Sequence, residues 1–116
     1  MIIQHCTLEG LKKLARQLAD NAQAGDVIFL NGDLGAGKTQ FTKFFVRAAV
    51  NDEDIDVPSP TFTLVQTYET QDREVWHFDL YRIEEEGEIE AIGFDEARQY
   101  GISLVEWPDR LGSHGP

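Results

Sequence analysis

The feature that most constrains the fold is a short apolar run that leads directly into a glycine-rich segment and then into a helical pattern. Residues 27–30 read VIFL between turn-forming residues, which predicts a strand buried on both faces, as in a parallel sheet covered by helices. Residues 31–41 follow as NGDLGAGKTQF. From Lys38 to Val50 the apolar residues recur with a period of about 3.6, so a helix is predicted to begin inside the glycine segment. This order predicts an α/β fold.

The glycine segment matches the pattern G-x-x-x-x-G-K-[ST] of phosphate-binding loops. Such a loop wraps a phosphate with successive backbone N–H groups, so it needs glycines where a Cβ would clash or where φ is positive. The helix that follows adds unpaired N–H donors and the positive end of its dipole. A chance match in a glycine-rich turn is the alternative, and the flanking strand and helix argue against it. The predicted nucleotide-binding residues of the loop are Gly32, Leu34, Gly35, Ala36, Gly37, Lys38 and Thr39.

The pattern also predicts specific roles for two side chains and calls for a carboxylate. Lys38 is predicted to reach the β- and γ-phosphate oxygens, and the Thr39 hydroxyl is predicted to ligate Mg²⁺. Mg²⁺ prefers octahedral oxygen ligands and usually needs a protein carboxylate as well. No Asn-Lys-x-Asp guanine-reading sequence is present, which favours ATP over GTP.

Two carboxylates end apolar strand patterns. Asp79 closes VWHFD and Glu106 closes ISLVE. If both strands run parallel to strand 27–30, their carboxyl ends share one edge of the sheet, where ligands bind in open α/β folds. One carboxylate would then hold the metal, and the other would hold it too or orient the attacking water. The assignment between them stays open, and the alternative for each is a polar residue that merely ends a strand.

Residues 57–62, VPSPTF, lie between the loop helix and the Asp79 strand, where nucleotide switches place a segment that senses the γ-phosphate. Ser59 and Thr61 offer hydroxyls there, and a rigid turn entering a strand is the equal alternative.

His77 is interpreted as a packed or hydrogen-bonded structural residue, and Trp107 as either core or a stacking surface. Arg82 and Arg110 are read as surface ion-pairing residues, with phosphate contact as the alternative.

The remaining periodicity predicts a coarse secondary structure. Thr7 is a plausible N-cap for an amphipathic helix, and the acidic run EEEGEIE at 84–90 is read as a solvated helix face, with a docking surface as the alternative. The predicted elements are a helix at 8–22, strands at 61–69 and 74–80 joined by a hairpin at 70–73, a short acidic helix at 84–92 that leads through Gly93 to a second turn at 95–99, and a last strand at 102–105.

Composition restricts the partners and the compartment. The 116 residues carry a net charge of −11, which repels nucleic-acid phosphates and favours a basic protein partner over direct tight RNA binding. Cys6 is the single cysteine, and no signal-peptide or membrane-span pattern is present. We therefore expect a cytoplasmic protein without a membrane association. Residues 1–116 are read as one domain, with 110–116 as a disordered tail.

Four segments taken in order, GDLGAGKT, PSPTFTLV, HFDLYR and LVEWPDR, resemble the bacterial TsaE (YjeE) family of small ATPases. The resemblance runs from the first helix to Arg110. It implies a P-loop NTPase-like, three-layer α/β fold with a mostly parallel central sheet, in which residues 34–39 bind ATP. Thr39, Asp79 and Glu106 match the family's Mg²⁺-site positions, residues 59–62 match its switch-like segment, and Trp107 matches its tryptophan after the glutamate.

The resemblance also implies a pathway. The family supports N6-threonylcarbamoyladenosine (t6A) modification of adenosine 37 of tRNA, in which ATP hydrolysis drives turnover of a complex of the TsaD and TsaB proteins. Family members usually continue for about forty residues beyond the Glu-Trp-Pro segment, so the sheet is expected to lack the family's C-terminal strands and to expose an edge. A small-molecule kinase and a non-catalytic, nucleotide-gated binding module are the two alternative functions.

Overall fold

The computed structural model describes residues 7–30, 36–58, 64–70, 73–85, 87–108 and 110–111. Within these ranges the chain forms four strands and four helices. No helix among the described residues combines the length and the apolar character needed to cross a membrane. In chain order the elements are α1 (Leu8–Asn21), β1 (Val27–Leu30), α2 (Ala36–Val50), β2 (Val65–Glu69), β3 (Glu74–Asp79), α3 (Gly87–Ala91), α4 (Phe94–Tyr100) and β4 (Gly101–Glu106).

The four strands form one sheet in the order β1-β4-β3-β2. β4 pairs in parallel with both β1 and β3, whereas β2 pairs antiparallel with β3. The last strand of the chain therefore lies between the first strand and the third. The predicted mostly parallel sheet is confirmed, and so is the condition that the Asp79 and Glu106 strands run parallel to the strand before the glycine segment.

Helices cover the sheet on both faces, which explains the continuous apolar runs of β1 and β4. On one face α1 and α2 pack against each other and share a core cluster with residues of β3 and β4, with α2 in contact with β2 and β3. On the other face α3 and α4 share a core cluster with residues of β3 and β4, with α4 in contact with β4. The first core cluster includes Leu11, Ala15, Phe41, Phe45, Val75, Ile102 and Leu104, and the second includes Phe78, Ile89, Phe94, Ala97 and Val105, all of them buried. The three-layer architecture is therefore confirmed.

Local signals account for the first helix and the hairpin. Thr7 caps α1, because its side-chain oxygen accepts a hydrogen bond from the Gly10 N–H at 3.0 Å. The hairpin is closed by Thr70, whose N–H donates to the Arg73 carbonyl at 2.8 Å. Arg73 also reaches back to the end of α1 and donates from its guanidinium to the Ala22 carbonyl. Both predicted elements are confirmed.

Several predicted boundaries are wrong, each for a local reason. The strand predicted from 61 begins only at Val65, because Leu64 has a φ of 69°, which is left-handed and not extended. Residues 61–63 lie outside the described ranges. The helix predicted at 84–92 is limited to Gly87–Ala91, and the turn predicted at 95–99 is the helix Phe94–Tyr100. Gly93, with a φ of 87°, separates these two helices.

The predicted disordered tail is wrong for its first two residues. Arg110 and Leu111 belong to a short 3₁₀ turn, and the Leu111 side chain is fully buried in the core that α3 and α4 cover. The Arg110 guanidinium donates to the Ile83 carbonyl at 3.2 Å. Burial of the Leu111 side chain packs this turn against the domain, although no periodic pattern in the sequence predicts the turn. Residues 112–116 lie outside the described ranges.

Candidate functional site

Three strands end in register at one edge of the sheet. The final residue of β4, Glu106, pairs with Leu30 at the end of β1 on one side and with Asp79 at the end of β3 on the other. The glycine segment begins directly after Leu30. The two candidate carboxylates are thus level with the carboxyl end of the strand that precedes the candidate phosphate loop, which is the usual ligand-binding end of such sheets.

The two carboxylates also share a face of the sheet. Side chains alternate along a strand, and Val75 and Leu104 belong to the core cluster that α1 and α2 cover. His77 and Asp79 follow Val75 at steps of two, and Glu106 follows Leu104 in the same way. All three therefore project on the face covered by α2, the helix that begins within the glycine segment.

His77 makes a short polar contact with Glu106 at the site. Its Nε2 lies 2.8 Å from Oε2 of Glu106, and the two side chains are only 4% and 13% exposed. In the β3–β4 register His77 pairs with Leu104, one step of two residues deeper than the Asp79–Glu106 pair. The contact is therefore a diagonal one across neighbouring parallel strands.

Asp79 is held by the backbone around it. Its Oδ1 accepts a hydrogen bond from the Tyr81 N–H at 3.1 Å, and the residue is 6% exposed. Its own N–H donates to the Leu64 carbonyl at 3.0 Å. A buried carboxylate with a fixed orientation is suited to presenting oxygen to a metal ion, because little conformational freedom is lost when the ion binds.

Two non-glycine residues with a positive φ flank the carboxylates. Trp107 follows Glu106 directly with a φ of 60°, and Leu64, which accepts from Asp79, has a φ of 69°. Such conformations cost roughly 1–3 kcal/mol each and cluster at functional sites. The Trp107 ring packs against Tyr81 with ring centroids 5.0 Å apart. Trp107 is half-buried and Tyr81 is 48% exposed, so this aromatic pair lies at the surface beside the site.

The rest of the predicted site is described only in part. α2 begins at Ala36, so the prediction that a helix starts inside the glycine segment is confirmed. Of Ala36, Gly37, Lys38 and Thr39 only the helical backbone is described. The predicted positions Gly32, Leu34, Gly35, Ser59 and Thr61 lie outside the described residues.

The sequence did not predict the contact between His77 and Glu106. His77 was interpreted as packed or hydrogen-bonded, and its partner, 29 residues away, depends on the pairing of β3 with β4. The available signal was the two-residue step from His77 to Asp79, which places both on one face of a strand. That spacing indicates which face of the strand His77 occupies, but it does not indicate which residue His77 contacts.

The chain has a mostly parallel sheet between two helical layers, two carboxylates at the carboxyl ends of β3 and β4, and a G-x-x-x-x-G-K-T sequence between β1 and α2. This combination defines an α/β protein with a P-loop NTPase-like fold. Comparison with known proteins identifies the branch of that class. The model of the family "Threonylcarbamoyl adenosine biosynthesis protein TsaE" matches residues 6–116. The chain belongs to the TsaE family.

Individual relatives agree with this assignment. The chain is 43% identical over 101 residues to a tRNA threonylcarbamoyladenosine biosynthesis protein TsaE from Rickettsia felis, covering 87% of this chain and 58% of that protein. It is 42% identical to the protein of the same name from Aquifex aeolicus, covering 88% and 72%. The crystal structure of Bacillus subtilis YdiB superposes with a TM-score of 0.72 at 34% identity, covering 97% of this chain and 67% of the other.

Proposed function

We propose that this chain binds and hydrolyses Mg-ATP in support of t6A modification of tRNA in the cytoplasm. The observation that carries the proposal is the register match of Leu30, Glu106 and Asp79 at one sheet edge. It brings two carboxylates to the strand end from which the G-x-x-x-x-G-K-T segment departs. Membership of the TsaE family supports the pathway.

Each part of the site has a distinct task in this proposal. The glycine segment and the first turn of α2 supply backbone N–H groups for the phosphates, and Lys38 adds a cation for the β- and γ-oxygens. Thr39, Asp79 and Glu106 provide oxygen ligands of the kind Mg²⁺ prefers. When bound, the ion neutralises charge on the transferred phosphoryl group. Ser59 and Thr61 are proposed to sense the γ-phosphate.

We assign Glu106 the additional task of orienting the attacking water. Its side chain is 13% exposed, so it retains some access to the site, and Asp79 is the more enclosed of the two. Water activation by a positioned carboxylate typically contributes about 10²- to 10⁴-fold to a rate. Among the proposed catalytic residues, Lys38 then neutralises charge on the phosphate oxygens, Asp79 offers an oxygen to the metal ion, and Glu106 orients the attacking water.

The proposed partner is the TsaD–TsaB complex, whose turnover hydrolysis would drive. A net charge of −11 fits a chain that leaves RNA binding to a partner, because its field repels phosphates. The chain covers 58% of the Rickettsia felis relative, so partner docking is proposed for this chain and not transferred from the longer protein.

A pull-down with purified TsaD and TsaB, run with Mg-ATP, with Mg-ADP and without nucleotide, tests the partner. We expect retention that depends on the nucleotide. Phosphate release measured without any phosphoryl acceptor tests the reaction, and release is expected because water is the proposed nucleophile. Absence of both binding and phosphate release would contradict the proposal, whereas transfer that requires a small-molecule acceptor would indicate a kinase.

A further inference from the structure

The carboxylate of Glu106 contacts the side chain of His77, which opens the HFDLYR segment and has no role assigned by the resemblance. Nε2 of His77 and Oε2 of Glu106 are 2.8 Å apart. A carboxylate only accepts hydrogen bonds, so the hydrogen lies on Nε2 and His77 is the donor. We propose that His77 is a positioning residue that fixes the Glu106 carboxylate for hydrolysis. This inference rests on the ATPase function proposed above.

Burial makes this hydrogen bond strong and restrictive. With the two side chains 4% and 13% exposed, little water competes for either partner. A glutamate at a strand end has three rotatable side-chain bonds, and their freedom would otherwise be lost only when the transition state forms. Fixing the carboxylate beforehand removes that entropy loss from the activation barrier.

The geometry leaves part of Glu106 available for chemistry. The contact occupies Oε2, and within the described part of the chain Oε1 has no hydrogen-bond partner. Asp79 is restrained separately, through the Tyr81 N–H on its Oδ1. The two carboxylates are thus oriented by different groups, and a change at His77 is expected to affect Glu106 first.

The imidazole of His77 is placed to orient the Glu106 carboxylate and not to transfer protons. Its Nδ1 is fully buried and has no partner among the described residues, and Nε2 is occupied by Glu106. The residue as a whole is 3% exposed. A ring without an accessible nitrogen does not exchange protons with substrate or water, so His77 acts through Glu106.

A matched pair of substitutions tests the proposal in the full chain. The amide nitrogen of His77→Gln falls close to the position of Nε2, whereas His77→Asn is one methylene shorter and does not reach Glu106. Single-turnover hydrolysis of Mg-ATP is expected to slow about 10- to 100-fold in His77→Asn and to recover most of its rate in His77→Gln. The ATP concentration that gives half-maximal rate should stay within about threefold in both.

Controls separate failure of this inference from failure of the proposed function. Ser103→Ala alters another fully buried polar side chain of the sheet without touching Glu106 and should hydrolyse ATP like the native chain. In a Glu106→Ala background the His77→Asn change should have no further effect, because no carboxylate remains to be oriented. If the native chain hydrolyses ATP and Glu106→Ala slows it, but His77→Asn and His77→Gln behave alike, the positioning role is wrong.

A spectroscopic measurement does not depend on the folding of His77 variants. In the native chain the His77 Nε2–H is expected to give a proton resonance that exchanges slowly with water, and Glu106→Ala should remove or shift it. A native spectrum without a protected imidazole N–H would overturn the proposal, whatever the kinetics. Absence of hydrolysis in a native chain that shows the resonance would overturn the ATPase proposal while leaving the contact in place.

Discussion

Asp79 and Glu106 are directly opposite each other, as the last register pair of two parallel strands. Their side chains project on the face of the sheet that α2 covers, at the edge where β1 runs into the glycine segment. Neighbouring parallel strands are about 4.8 Å apart, so the two residues are direct neighbours across the sheet. This pair is the structural basis for the following predictions on function.

The lysine of the glycine segment is expected to be essential for nucleotide affinity. Lys38→Ala removes a cation from the β- and γ-phosphate oxygens, and a hydrogen bond to a charged group contributes roughly 1.5–3 kcal/mol. Calorimetric titration with Mg-ATP should therefore show binding at least about tenfold weaker. Lys43→Ala, a change of the same charge further along α2, serves as control. Unchanged affinity in Lys38→Ala would exclude the phosphate-loop interpretation.

The Asp79 carboxylate is expected to act through the metal ion. Asp79→Asn keeps the size of the side chain and removes its charge, so ATP binding should weaken more in the presence of Mg²⁺ than in EDTA. Asp95→Asn makes the same change at an exposed position of α4 and should alter neither value. Equal losses with and without Mg²⁺ would argue against a metal role for Asp79.

Glu106 is expected to contribute more to the rate than to affinity, because it is proposed to orient the attacking water in addition to offering an oxygen to the metal ion. Glu106→Gln can still accept a hydrogen bond from His77 but does not activate water, so single-turnover hydrolysis in the presence of TsaD and TsaB should fall by about 10²- to 10⁴-fold. Mg-ATP affinity should change little by comparison. Glu96→Gln, exposed on α4, is the control. A native rate in Glu106→Gln would remove this carboxylate from the mechanism.

Gly101 is expected to be required for packing at the start of β4. A Cβ at this position would lie 2.6 Å from Cδ1 of Trp76 and 3.0 Å from the Glu74 carbonyl oxygen. Gly101→Ala should lower the free energy of unfolding by about 1–3 kcal/mol, measured by urea denaturation. Gly87→Ala meets no atom within 4 Å and is the matched control. Equal stability of the two variants would show that the indole ring moves aside without cost.

Tyr68 is expected to make the folded protein less stable at alkaline pH. Burial, and secondarily the negative charge of Asp56, raise the pKa of the Tyr68 phenol above its ordinary value of 10.0. The folded state then holds this proton more tightly than the unfolded state. The stabilisation is complete below about pH 10 and is lost as pH rises from there through the folded-state pKa.

Denaturation curves measured between neutral pH and pH 11 test this expectation. Tyr68→Phe should flatten the alkaline loss, and it should cost little at neutral pH because the buried hydroxyl has no partner among the described residues. Tyr100→Phe, at a side chain that is 64% exposed, should leave the alkaline loss as it is in the native chain. A Tyr68→Phe curve parallel to the native one would mean that another group titrates.

Local patterns were sufficient for much of the fold. The apolar run of β1, the helical period of α2 and the Thr7 cap of α1 each depend on neighbours a few residues away, and all three elements are present. The ends of two strands also marked Asp79 and Glu106 as candidates. The predicted ends of elements were wrong where the backbone conformation did not follow the apolar periodicity of the sequence. Leu64 and Gly93 are examples, because their positive φ values end or separate elements.

Relations between distant segments came from the tertiary structure. The sequence alone determined which residues end the strands, because side-chain alternation and turn chemistry are local properties. Only the tertiary structure placed β4 between β1 and β3, which sets Glu106 beside both Leu30 and Asp79 and brings the His77 ring to its carboxylate. Strand order and register arise from packing two helical layers on a shared sheet, and the periodicity of a single strand does not specify which neighbour it pairs with.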